Sequence, residues 1–277
     1  MRGLGGLLAA TIVALLPPAL PAAAAAAPQA AISIVIDDLG DRIVEGRQAT
    51  ELPGAVACAF LPDAPYTRRL AQDAHQAGKE VLLHLPLQPV AGRAHPLTLA
   101  TGAPDAERDA ALAHMLAAVP YLDGVNNHQG SLATASRPAM HWLMRELAMR
   151  NVGYFIDSYT SAQSVAYPIA RAYGLPATRR RVFLDNDPSV AAINAEFDEL
   201  LRVAKAHGSA LAIGHPHPAT LQVLRERLPA LAAQGVLLLP PSQLIARYEP
   251  KLQLMPVRLQ MTTRLNTTPA VAAQASN

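Results

Sequence analysis

The sequence predicts an α/β fold, a single-domain distorted (β/α) barrel of about seven strands. Short apolar runs alternate with helix-length stretches from residue 31 to residue 245, the pattern of a parallel sheet covered by helices. A chain of 277 residues, 51% of them hydrophobic, has material for one large core. No G-x-G-x-x-G follows the first strand, which weighs against a dinucleotide-binding sheet and favours the barrel.

Ile32 to Ile36 is a β-branched run that ends in Asp37-Asp38-Leu39-Gly40 and reads as a buried strand meeting a turn. Ala55 to Phe60 is a second apolar run, and Thr67 to Ala77 a helix with Gly78 just past its end. Glu80 to Pro86 makes a third strand, closed by its proline. Asp105 to Val119 reads as a helix, followed by a short strand and loop over Asp123 to His128. Helix Arg137 to Arg150 precedes strand Gly153 to Asp157. Helix Val165 to Tyr173 precedes strand Arg181 to Leu184, and helix Val190 to His207 precedes strand Ser209 to His215. Helix Thr220 to Gln234 and strand Gly235 to Leu239 complete the alternation.

The two ends of the chain are of another kind. Arg2, the apolar stretch Leu4 to Leu16, the prolines at 17, 18 and 21, and Ala22 to Ala27 have the layout of an export signal. The stretch is shorter than the ~20 residues needed to span a bilayer. Residues 1–27 are therefore expected to be a cleaved signal peptide, and the mature protein periplasmic or secreted in a bacterium, with no membrane span left. Residues 31–248 would form the domain, and 249–277 a C-terminal extension, disordered from about 264. The single cysteine, Cys58, excludes an intrachain disulfide. With 23 basic against 21 acidic residues, the chain carries no electrostatic footprint for nucleic acid.

Acids and histidines fall at predicted strand ends: Asp37 and Asp38, His84, His128, Asp157, then His215 and His217. In parallel α/β folds these ends form one rim, where active sites assemble. One aspartate and two histidines suit a divalent ion with a site left open. A second aspartate could take a proton from water, and a further histidine could protonate a leaving group. Each residue also has an ordinary structural reading. An Asp pair caps turns, His84 lies in an apolar run, and Asp157-Ser158 could turn the chain. Neither Ser131 nor Ser158 lies in a G-x-S-x-G elbow. Cys58 reads as a buried inert thiol and Arg179-Arg180-Arg181 as a solvated edge. His75, His95, His114, His141 and His207 read as surface or structural groups.

The segments Ile34 to Gly40, Glu80 to Pro86, Gly124 to Ser131, Tyr154 to Ser161 and Ile213 to Thr220, in that order, resemble the divergent polysaccharide deacetylase family. That family is similar to the metal-dependent polysaccharide deacetylases (carbohydrate esterase family 4), which remove acetyl groups from glycans. The resemblance implies a base at Asp37, metal ligands at Asp38 and His84, a catalytic acid at His215, and an acid-tuning aspartate at Asp157. The parent H-x-x-x-H motif has Gln88 where its second histidine belongs, and Asn126 to Ser131 stands in place of an Arg-Pro-Pro-Tyr motif. His128 is therefore expected as the third ligand, with Zn²⁺ the preferred divalent metal. Asn127, Ser131, Ser158 and His217 are expected to bind substrate. The implied activity is hydrolysis of an amide or ester acetyl group on an exported or cell-envelope carbohydrate.

Two other readings remain open from the sequence. Aromatics are 4% of the chain, with Tyr159, Tyr167 and Trp142 the candidates for sugar stacking. A catalytically decayed glycan-binding or scaffold protein on the same fold fits that scarcity. A two-carboxylate glycosidase using Asp37 and Asp157 is weaker, because it leaves the histidines idle.

Overall fold

The computed structural model describes residues 29–249; the expected signal peptide and the extension beyond residue 249 lie outside them. The chain alternates strand and helix as follows: β1 (Ala30–Leu39), α1 (Ile43–Thr50), β2 (Ala57–Phe60), α2 (Thr67–Gln76), β3 (Val81–Leu87), α3 (Asp105–Ala118), β4 (Leu122–Gln129), α4 (Arg137–Met149) and β5 (Phe155–Asp157). It continues through α5 (Ala166–Ala172), β6 (Ala177–Arg179), β7 (Val182–Phe183), α6 (Val190–His207), β8 (Ser209–Gly214), α7 (Pro218–Arg227), β9 (Val236–Leu238) and α8 (Pro241–Tyr248).

Among the described residues these nine strands form one parallel sheet, ordered β6-β5-β4-β3-β2-β1-β8-β7, with β9 beside the start of β1. The sheet curls into a half-barrel whose ends are β6 and β7. Register places the strand ends level: Ile36 of β1 pairs with Gly214 of β8, and His84 of β3 with Asn126 of β4.

Side chains alternate across a strand, and here the alternation separates two cores. Ile32, Ile34 and Ile36, with Leu83, Leu85, Val125 and Phe155, pack outward under the helices. Val35, Ala57, Ala59, Leu82, Ile156, Leu211 and Ile213 fill the barrel interior. The interior is closed at the N-terminal end of the strands. There Ile245 of α8 joins the inner core, and Tyr154 Oη donates to Glu80 Oε2 at 2.7 Å. Ser242 of α8 bonds the same carboxylate through its amide and hydroxyl. The opposite end is left to polar residues.

More strands form than the seven expected, because two- and three-residue strands such as β6 and β7 carry too few residues for a periodic signal. The expected helix Thr220 to Gln234 is broken. Pro229 cannot continue an α-helix, so α7 stops at Arg227 and two 3₁₀ turns, Leu228–Ala230 and Ala232–Gln234, follow.

Candidate functional site

Strand parity decides which rim residues reach the interior. Asp37 continues the inward series of Val35, His84 that of Leu82, and His215 that of Leu211 and Ile213. Asn126 and His128 lie on the face opposite Val125, which packs outward. Asp38 should face outward with Ile36, but its φ of 55° turns the chain into the left-handed region, which aspartate tolerates better than most residues. The kink aims its carboxylate back over the barrel mouth. Gln129 (φ 55°), the last residue of β4, and Tyr159 (φ 51°), just past β5, are held in the same region. Such backbone costs on the order of 1–3 kcal/mol each and clusters at functional sites.

Asp38 is the hub. Its Oδ1 lies 2.9 Å from His128 Nδ1 and 3.2 Å from His84 Nε2, and its Oδ2 lies 3.7 Å from His215 Nε2. Asp37 Oδ2 lies 3.5 Å from His84 Nε2. Asn126 fixes the orientation of this set. Its Nδ2 donates to Asp37 Oδ1 at 2.7 Å and to Ser158 Oγ at 3.4 Å, so its Oδ1 must accept from His84 Nδ1, at 2.9 Å. That bond directs His84 Nε2 to the centre. His215 is braced by Asp185: the carboxylate accepts from His215 Nδ1 at 3.0 Å and from its amide at 2.6 Å, while Thr220 Oγ1 donates to it at 2.8 Å.

The charges follow from this packing. Burial raises the Asp37 carboxyl, and the positive charges of His84 and His215 only partly offset it. Burial also raises Asp38, but the His128 and His84 hydrogen bonds outweigh it and hold Asp38 far below the usual carboxylate range. Burial would lower His84; the Asp37 charge and the Asp38 bond overcome it and lift the imidazole to about 9. His215 is likewise raised, with the Asp185 hydrogen bond overcoming burial.

Donors of a tetrahedral ion with bonds of about 2.0–2.2 Å stand about 3.4 Å apart. The 2.9 and 3.2 Å separations around Asp38 Oδ1 fit that spacing after a small opening. The proton of His84 Nε2 sits between two carboxylates, where a cation would replace it. Asp38, His84 and His128 therefore fit a divalent metal. Asp185, His215 and His217 also bring ligand atoms within 4.8 Å of one another. Both Asp185 oxygens already accept hydrogen bonds, however, so this second group reads as a braced imidazole.

Asp157 is a correction. It shares the outward face of Phe155, and its carboxylate accepts from Tyr159 N at 2.9 Å and Ser164 Oγ at 2.7 Å. The aspartate that meets His215 is Asp185, which follows the two-residue β7 and gave no strand-end signal in the sequence. The opposite faces of Asp37 and Asp157 also remove the two-carboxylate glycosidase reading.

Among the residues expected to bind substrate, Asn127 points outward and ties the rim together, with its Nδ2 donating to Gln129 O and its Oδ1 accepting from Ser158 N. Ser158 is buried beside Asn126. Ser131 Oγ accepts from Val90 N at 2.9 Å, away from the hub. His217 is exposed, its ring 5.8 Å from that of His215.

Arg180 is no solvated edge. It donates to Ser158 O at 2.7 Å and Tyr159 O at 2.9 Å and lies over Phe183, whose ring meets His215 edge-on. Trp142 lies in the core, and Tyr167 is bonded to Glu249, which leaves Tyr159 as the rim aromatic of the three. Cys58 is buried, which pushes its thiol up to about 12, an inert group. His114 pairs with Asp63, and His75 stacks on Tyr121. His95, read as a surface or structural group, is half-buried with its ring edge-on to the ring of His128.

The profile of the divergent polysaccharide deacetylases matches residues 34–245. YibQ of Escherichia coli (strain K12), an uncharacterized protein, is 39% identical over 198 residues, 70% of this chain; the chain spans 61% of that relative's length. An uncharacterized protein of Haemophilus influenzae is 36% identical over 201 residues, 72% of this chain and 71% of its own. The crystal structure of ATU2773 from Agrobacterium tumefaciens C58 superposes with a TM-score of 0.75 at 27% identity, covering 79% of this chain and 91% of that one. The chain belongs to the divergent polysaccharide deacetylase family.

Proposed function

We propose that the protein is a metal-dependent hydrolase that removes acetyl groups from an exported or cell-envelope carbohydrate, acting in the bacterial periplasm or outside the cell. The observation that carries this reading is the hub at Asp38, with His84 and His128 at ligand spacing and Asp37 and His215 on its flanks. Asp38, His84 and His128 would hold the ion, and two imidazoles with one carboxylate favour zinc. Once bound, the ion supplies Lewis-acid polarisation of the acyl carbonyl and stabilises the oxyanion.

The remaining work belongs to the side chains. Asp37, its carboxyl raised by burial and oriented by Asn126, is the base that accepts the proton of the attacking water. His215 keeps its Nδ1–H on Asp185, so Nε2 presents the second proton to the departing amine or alcohol. Asp185 stabilises the imidazolium until that transfer.

The test is an acetate-release screen over acetylated chitin, peptidoglycan and xylan fragments with zinc-loaded protein. Release that stops with chelator and returns with zinc is expected. Binding of a fragment without release, unchanged by chelator, would favour the glycan-binding reading and overturn this one.

A further inference from the structure

The connection between β3 and α3, residues 88–104, contains no helix or strand. It is longer than the roughly 12–15 residues beyond which irregular connections in compact domains are uncommon and usually functional. It is also firmly fixed. Gln88 Oε1 accepts from Thr101 N at 2.8 Å and Thr101 Oγ1 at 3.0 Å. Val90 N donates to Ser131 Oγ at 2.9 Å, Gln129 Nε2 to Arg93 O at 3.1 Å, and Leu99 N to Pro86 O at 3.0 Å. Two of these anchors, Gln129 and Ser131, directly follow His128 on the same rim. The loop is thus built against the β4 end rather than draped over it.

What this scaffolding holds in place is His95. Its half-buried ring meets the His128 ring edge-on, with centroids 5.8 Å apart and planes at 74°. The backbone N–H of Leu97 donates to His95 Nδ1 at 3.1 Å. A nitrogen that accepts from an amide carries a lone pair, so the ring proton of the neutral imidazole lies on Nε2. In that tautomer Nε2 has no lone pair for a metal. His95 is a fixed hydrogen-bond donor standing one ring outside the proposed ligands.

We propose that His95 is a substrate-positioning residue, its Nε2–H donating to a neutral sugar oxygen, a hydroxyl or ring oxygen, next to the scissile acetyl group. The proposal rests on the deacetylase reading and adds to it a specificity contact from the loop after β3, whereas His217 follows β8.

The experiment compares zinc-loaded wild type, His95→Ala and His95→Gln on the fragment that the wild type deacetylates best and on para-nitrophenyl acetate, which offers no sugar oxygen. A neutral hydrogen bond corresponds to roughly a two- to tenfold effect. His95→Ala is expected to raise KM for the fragment by about that factor with kcat little changed and bound zinc retained. His95→Gln, which keeps an N–H donor, is expected to recover part of the loss. Long-range nitrogen–proton NMR correlations should show the Nε2–H tautomer. An unchanged fragment KM, an equal loss on para-nitrophenyl acetate, loss of zinc, or an Nδ1–H tautomer would each overturn the proposal while leaving the deacetylase reading intact. If the wild type binds the fragment but releases no acetate, the deacetylase reading fails. Calorimetry then decides His95, an unchanged affinity in His95→Ala overturning its role as well.

Discussion

The Asp185–His215 pair gives the site its most specific pH signature. Burial alone would lower the His215 imidazole; the Asp185 hydrogen bond, with the charges of Asp37, Asp185 and Asp38, raises it, so the acid form persists above the ordinary histidine range. Activity should be present while His215 is protonated and decline as pH rises through that raised value. Asp185→Asn removes the leading raising contribution, so the alkaline limb of kcat/KM should move to lower pH; a limb that stays in place would contradict the assignment. His215→Ala should lower kcat by about 10²- to 10⁴-fold, the usual contribution of a positioned acid, with bound zinc unchanged. Asn126 acts through others, orienting His84 with one end of its amide and Asp37 with the other. Asn126→Ala should weaken zinc affinity by about 10- to 100-fold, which a competition titration with a chelating dye would read.

At the scale of the elements, strand parity explains what the sequence revealed and what it hid. Asp37, His84, His128 and His215 were legible because each lies on the inward side of a strand, within it or just past its end, beside a run of apolar residues. Asp157 also ends a strand, but on the outward face with Phe155, and strand-end position alone does not separate the two. Asp185 was illegible because β7 is two residues long and the following Asn186-Asp187-Pro188 reads as a turn. Asp38 needed a positive φ, which no periodicity announces. His95 lay in a loop whose anchors come from Ser131 and Gln129 on another element, contacts that no local pattern encodes. Parity also makes Gly124 sensitive. It faces inward, where a Cβ would strike the Tyr154 ring that closes the barrel floor. Gly124→Ala should destabilise the protein by about 1–3 kcal/mol, read as a lower denaturant midpoint; unaltered stability would mean that the floor yields freely.

On the scale of the whole molecule, the half-barrel is apolar and plugged at one end and polar at the other. Ile245, Tyr154 and Glu80 seal the floor, and Asp37, Asp38, His84, His128 and His215 occupy the mouth. No helix among the described residues is long and apolar enough to cross a membrane. Because the ligands come from β1, β3 and β4, an ion at the mouth would tie together strands at the centre of the sheet. Zinc at about a hundred times its dissociation constant adds about 2.7 kcal/mol, which for a domain of this size raises Tm by roughly 5–10 °C. The rise should be absent in Asp38→Ala; an equal rise in that variant would place the ion elsewhere.

Asp38, His84 and His128 would together hold one metal ion, with His128 filling the role that Gln88 cannot. Elemental analysis of protein purified without chelator or affinity-tag metal tests it most directly. About one zinc per chain is expected in the wild type and in Asp185→Asn, and almost none in Asp38→Ala and His128→Ala. Full metal content in both of those last variants would contradict it.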